Sequence, residues 1–249
     1  MPLSLHVFVV CCLPMATPVK VKVLVNRVVK HTPSVVSYRF TPLGRVPKFH
    51  PGQFLHLALD PYSPDRLWPE SRVFSIASAT SERARDLSVT ISVKGAYTQR
   101  IFDTLREGSE CWLKLPYGEF LFPDDRPLAL IAGGVGITPY LSLLKQRLET
   151  KPEQPIYLFY GVRSAEYYLF SELLDRCVAE LPRFQKTVYC EDGSMEAHKG
   201  ILDIDAIHDT AQDGSIFYLS GPPAMISAFR NRLNALGVEQ NRIRVDDWE

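Results

Sequence analysis

The stretch Leu128–Pro139, LALIAGGVGITP, decides the fold. Leu128–Ala132 is an unbroken apolar run, as expected of a strand buried on both faces of a parallel sheet. Gly133, Gly134 and Gly136 then form a tight turn, and ITPYLSLLKQRL continues as a helix. Strand, glycine turn and helix in that order aim unpaired N–H groups and the positive end of the helix dipole at one point, which suits a pyrophosphate. Gly134 and Gly136 are the first two glycines of a dinucleotide fingerprint, and Pro139 stands in place of the last. Proline belongs in a first helical turn, where no N–H is needed. An ordinary tight turn is the poorer reading here.

Downstream the rhythm repeats. IYLFY (Ile156–Tyr160), a helix near Tyr167–Leu181, KTVYC (Lys186–Cys190), a helix around Asp203–Asp209, IFYLS (Ile216–Ser220), a helix from Pro222 to Leu236 and RIRV follow in turn. Strands alternating with helices predict a parallel sheet covered on both faces. Upstream the signals are of strands. VKVKVLV (Val19–Val25) sets valines against lysines with period two, and VVSYRF, QFLHLAL, RVFSIAS, LSVTISV and CWLKL (Cys111–Leu115) follow between turns. With one helix among them, Thr98–Arg106, they predict a small antiparallel β-barrel. The change of rhythm at residues 123–127 gives an extension over 1–18, a barrel domain over 19–124 and an α/β domain over 125–249.

Composition narrows the function. Of 249 residues, 46% are hydrophobic and 22% charged, as in ordinary globular proteins. Twenty-eight basic residues balance twenty-eight acidic ones, which argues against nucleic acid as the main partner. Cys11, Cys12, Cys111, Cys177 and Cys190 show no CxxC or metal-ligand spacing, so free thiols in a reducing, cytoplasmic setting are expected, with no metal site. The apolar run Leu3–Leu13 is too short to span a bilayer, and no integral membrane segment is expected.

Three further motifs carry chemistry. Arg72-Val73-Phe74-Ser75 offers a guanidinium fork for a phosphate, a ring for stacking and a hydroxyl, although a plain barrel strand explains it equally well. In Lys94-Gly95-Ala96-Tyr97-Thr98, Thr98 reads as an N-cap and Gly95 as a tight turn, forming either an anion site or simply a capped helix. Ser220-Gly221-Pro222-Pro223-Ala224-Met225 again follows a strand and precedes a helix, so it shares the ligand-collecting sheet edge with the Gly134 turn.

Taken in order, PGQF (Pro51–Phe54), RVFS, KGAYT, PYGEF, AGGVGITP, YGVRS and SGPPAM resemble the ferredoxin–NADP reductase superfamily from about Val19 to Trp248. The resemblance implies a flavin-binding barrel followed by a nicotinamide-dinucleotide-binding α/β domain, with FAD favoured over FMN. It assigns Arg72 to the flavin phosphate, Phe74 to ring stacking and Ser75 to the flavin N5. Phe74 replaces the usual tyrosine, so stacking survives without the phenol. Val73, Ile76, Ala77 and Ser78 would line the flavin, and Val93, Lys94, Gly95, Tyr97 and Thr98 its phosphates. The dinucleotide would lie across Gly134, Gly136, Ile137, Thr138 and Pro139, beside Gly161 and Arg163, with Ser220, Gly221, Pro222 and Met225 near the nicotinamide. Ser220 stands where relatives often have cysteine. Trp248 would cover the flavin's outer face, with a solvent-exposed tail residue as the alternative.

Ser75, Ser220 and Trp248 are thus the expected residues around the reacting atoms. Glu191 and Asp192 stand where NADPH-specific relatives carry serine and arginine, which favours NADH, although Arg163 could serve a 2′-phosphate. The implied activity passes electrons from NAD(P)H through FAD to a separate acceptor, a ferredoxin or an oxygenase component. The cysteine pattern denies the chain a plant-type iron–sulfur segment of its own. A free-flavin or ferric reductase and a non-catalytic nucleotide-binding subunit are the alternatives.

Overall fold

The computed structural model describes residues 16–80 and 86–246. Its first half is one antiparallel sheet made of β1 (Val19–Thr32), β2 (Val35–Pro42), β3 (Phe54–Ala58), β4 (Arg72–Ser75), β5 (Leu87–Ser92) and β6 (Glu110–Tyr117). The strands run in the order β4-β3-β6-β1-β2-β5. The two edge strands then approach each other, with Ala77 N–H donating to Ser88 O at 2.8 Å, so the sheet nearly closes into a barrel. Alternation drives this curvature. Val21, Val23 and Val25 are buried while Lys20 and Lys22 point outward. The inside is filled by Tyr38, Phe40, Leu55, Leu57, Val89, Ile91 and Leu113, with Tyr97 and Ile101 of helix α1 (Ala96–Thr104) plugging one end. β1 outruns its sequence signal, continuing past Val25 through two register shifts to pair with β2.

The second half is a parallel sheet of β7 (Leu128–Gly133), β8 (Ile156–Val162), β9 (Phe184–Cys190), β10 (His198–Lys199), β11 (Ile216–Ser220) and β12 (Ile243–Val245), ordered β10-β9-β8-β7-β11-β12. α2 (Thr138–Thr150), α3 (Ser171–Glu180), α4 (Ile204–Thr210) and α5 (Pro223–Ala235) connect them. β7 explains why helices cover both faces. Its alternate residues Leu128, Leu130 and Ala132 pack with Tyr140, Leu144 and Leu174, while Ala129 and Ile131 pack with Ile207 and Leu233. Each fully buried leucine here contributes roughly 2 kcal/mol from apolar area removed from water.

Two helices differ from their sequence reading. α1 begins two residues early, with Gly95 as its N-cap, so Thr98 sits inside the first turn. Its Oγ1 turns back to accept the N–H groups of Lys94 and Gly95 and donates to Gly95 O. Gly95 itself is extended rather than tightly turned. The helix expected near Tyr167–Leu181 breaks at Phe170, which takes the left-handed conformation with φ 62°. A short 3-10 turn, Ala165–Tyr167, precedes the break.

The connection between the halves is packed against the second one. Phe120 and Phe122 meet Tyr140 and Tyr218 edge-on or tilted, with ring centres 4.6–6.1 Å apart. Tyr218 Oη donates to Leu121 O, Gln154 Nε2 donates to both Pro123 O and Arg126 O, and buried Arg147 pairs with Asp124.

Candidate functional site

The two glycine-bearing turns of the parallel sheet lie side by side, because β7 and β11 are direct neighbours. Their contact is between backbones. A Cβ on Gly136 would stand 2.3 Å from Ser220 O and 2.7 Å from Gly221 N. A Cβ on Gly133 would meet Pro222 Cδ at 2.8 Å and Met225 Sδ at 2.9 Å. Only glycine allows this approach, which settles why the spacing is AGGVG. Gly134 differs: it has φ 55° and open space where a side chain would be, so the backbone there is accessible to a ligand. A 3-10 turn, Gly134–Ile137, leads into α2, whose first turn contains Thr138 and Pro139. The N-cap residue Gly133 offers no side chain, and N–H groups at this end lack a side-chain cap.

The neighbouring strand adds a second wall. Gly161 pairs with Gly133 across β7 and β8, and a Cβ there would strike Leu202 at 2.8 Å. Beyond it, Arg163 and Glu191 are exposed on adjoining loops stitched by Glu191 N–H to Val162 O and Asp192 N–H to Arg163 O. Asp192 spends one carboxylate oxygen, Oδ1, on Ser194 N–H and the Cys190 thiol. Hydrogen bonds from Ser194, then Cys190, hold its carboxyl below the usual range. Among the described residues, the exposed Glu191 side chain has no such commitment.

Ser220 is buried, and its Oγ donates to Asp246 Oδ2 at 2.8 Å. The sequence reading gives Asp246 no role. Its signal is visible in hindsight: an acidic residue directly after an edge strand falls at the carboxyl end, where ligands gather. Trp248 lies outside the described residues.

In the barrel, Arg72 and the KGAYT segment converge. The Arg72 guanidinium lies 4.6 Å from the centre of the Tyr97 ring, donates to Glu70 Oε1 and to Ser71 O at 2.9 Å each, and stays about half exposed. Tyr97 Oη is tied to Glu70 O and Leu57 O, which fixes the ring beneath the guanidinium. Lys94 and Gly95 are exposed beside the start of α1, whose N-cap supplies no side chain. Val93 N–H is taken by Ser34 O. On the same strand as Arg72, Phe74 is partly buried against the barrel core and Val73 pairs with His56. Ser75 is buried opposite Phe54, itself stacked on Tyr117 at 5.5 Å. Ile76 N–H is held by Gln53 O. Ser78 Oγ is buried with no hydrogen-bond partner among the described residues. An exposed guanidinium held over Tyr97, beside a helix start whose N-cap brings no side chain, fits a polar, phosphate-bearing ligand.

Known proteins agree with this geometry. The family described as the oxidoreductase NAD-binding domain matches residues 130–231. The flavohemoprotein of Burkholderia sp. is 29% identical over 233 residues, covering 90% of this chain and 58% of its own length. Amycolatopsis cytochrome P450 reductase GcoB superposes with a TM-score of 0.80 at 23% identity, covering 93% of this chain and 70% of that one. A ferredoxin NADP+ reductase from Neisseria gonorrhoeae, with bound FAD and NADP, gives 0.72 at 20% identity over 94% of this chain and all of that one. The family match covers part of the second half, and the likeness to the solved structures shows that the whole chain takes the fold of ferredoxin–NADP reductase-like proteins. A near-closed antiparallel barrel followed by a parallel sheet with flanking helices is the two-part architecture shared with those structures. The chain spans 53–59% of the length of the curated relatives it matches. Among the described residues, no helix is long and apolar enough to cross a membrane.

Proposed function

We propose that this chain is an FAD-dependent oxidoreductase that takes electrons from NAD(P)H and passes them to a separate acceptor, such as a ferredoxin or an oxygenase component. The observation that carries the reading is the meeting of the Gly133–Pro139 and Ser220–Met225 turns at the carboxyl edge of a sheet that ends beside the barrel. The NAD-binding family match over the same residues supports it, as do reductases with this fold.

Bound FAD would supply the redox chemistry, accepting two electrons from the nicotinamide and releasing them to the acceptor. The chain's own residues do the rest. Arg72, Lys94 and the start of α1 hold the flavin phosphates, with Gly95, Tyr97 and Thr98 shaping their seat and Val93 closing its end. Phe74 packs on the ring system, Ser75 and Ser78 direct hydroxyls to it, and Val73 and Ala77 line it. Gly134, Gly136, Ile137 and Thr138 cradle the dinucleotide pyrophosphate, and Pro139 starts the helix that supports them. Ser220, oriented by Asp246, faces the nicotinamide end together with Gly221, Pro222 and Met225, and Trp248 shields the flavin. Gly161, Arg163 and Glu191 border the adenosine end, where the Glu191 carboxylate favours the ribose diol of NADH over a 2′-phosphate. Asp192 contributes by holding that loop. No proton-transferring side chain is required, because alignment of two flat rings and exclusion of water are the protein's tasks.

The test is direct. Purified protein loaded with FAD should turn from yellow to colourless with NADH under anaerobic conditions, and then reduce a ferredoxin or dye. A protein that neither retains FAD nor oxidises NADH would sink the reading. Turnover with free flavin that no protein acceptor accelerates would replace the separate acceptor by free flavin.

A further inference from the structure

α2 does more than begin at the dinucleotide turn. Two turns beyond Thr138, Lys145 and Gln146 leave their own domain and reach the barrel. Lys145 Nζ donates to Ala77 O at 2.5 Å, and Gln146 Nε2 donates to Thr80 Oγ1 at 2.9 Å. Ala77 lies two residues past Ser75, and its own N–H is held by Ser88 O of β5. The segment leaving the proposed flavin seat is therefore clasped from both sides, once by the barrel and once by the helix that carries the proposed dinucleotide turn.

A lysine is a costly choice for this contact. Its ammonium is largely removed from water, and the charged group facing it, Arg39 of β2, has the same sign. Burial first and Arg39 second push its pKa down to about 8. Among the described residues, no carboxylate pairs with it. An apolar side chain of similar length would fill the space without that cost. What it would lose is the donor to Ala77 O. We infer that Lys145 is a positioning residue: by holding the Ala77 carbonyl, it sets the distance between the Ser75 end of the flavin seat and the Gly134–Thr138 turn on its own helix. The inference rests on the flavin and dinucleotide reading above. Displacement of reacting groups by about 1 Å can cost roughly 100-fold in rate, so such a spacer matters.

Lys145→Met keeps the apolar stem and removes the donor. In the protein without cofactors, amide hydrogen exchange in the peptide covering residues 72–80 should become faster in K145M. With FAD bound, the limiting rate of flavin bleaching by NADH should fall about tenfold or more, while NADH affinity stays within about twofold. Lys145→Arg should restore most of the rate. In the wild type the limiting rate should decline as pH rises through about 8, because a neutral amine makes a weaker bond to the carbonyl. K145R should be flat across that range, since arginine keeps its charge. Unchanged exchange and an unchanged limiting rate in K145M would overturn the positioning role while leaving the flavin reading intact. Wild-type protein that NADH cannot bleach overturns both.

Discussion

Gly136 and Gly95 each follow a strand and lead into a helix, yet their surroundings are opposite. A Cβ on Gly136 would lie 2.3 Å from a backbone oxygen, whereas one on Gly95 would meet nothing within 4 Å. The proposed dinucleotide turn is thus assembled by the protein against itself, backbone on backbone. The proposed flavin seat is built from exposed charge, a helix start whose N-cap brings no side chain, and a guanidinium that rests on Tyr97 and pairs with Glu70. The first region is specified by shape and should fail through steric conflict. The second is specified by electrostatics and should fail through lost ligand affinity with the fold intact.

The sharpest way to break this comparison is Gly136→Ala. Its methyl would meet Ser220 O, which belongs to a paired strand and cannot move cheaply. We expect a loss of about 3 kcal/mol in stability by denaturant melt, together with loss of NADH binding. Arg72→Ala should do the reverse. Its ion pair with Glu70 is half exposed, so the melt should barely change, while FAD affinity drops by about 2 kcal/mol, roughly 30-fold, in a titration. Glu191→Gln should act on neither fold nor FAD but raise kcat/KM for NADPH about fivefold, near 1 kcal/mol. An NADPH preference already present in the wild type would remove that expectation. Gly95→Ala should be the mildest, within about 0.5 kcal/mol of wild type in stability, since the site is open and its backbone extended. If G95A unfolds the protein as G136A should, the contrast between the regions is wrong.

The sequence was most legible where a local pattern carries the structure. The alternation in VKVKVLV, the apolar run of β7 and the glycine turn after it all depend on neighbours in the chain. Residues whose placement depends on distant partners were harder. β10 is only His198–Lys199, too short for any periodicity. β1 runs to Thr32 because β2 pairs with it through register shifts, not because RVVKHT alternates. Thr98 resembles an N-cap by residue type, yet packing of Tyr97 and Ile101 into the barrel sets the helix start at Ala96. Lys145 sits in a helical run where a lysine usually marks a solvated face. Nothing local reveals that Ala77 O waits opposite.

The clamped connection between the halves has a practical meaning for anyone recombining such proteins. Phe120 and Phe122 are anchored to Tyr140 and Tyr218, and Gln154 grips the carbonyls on either side of Asp124 and Asp125. The start of the 118–127 strip is stitched to the barrel as well, because Gln53 Nε2 donates to Gly118 O and only a glycine at position 52 lets that turn lie against Phe120 O. A chimera spliced after Tyr117 must therefore seat Phe120 against a foreign turn, whereas one spliced after Asp124 asks a foreign pair of aromatic rings to fit a ready-made socket. The strip is a seam sewn to both halves, and grafting should respect it.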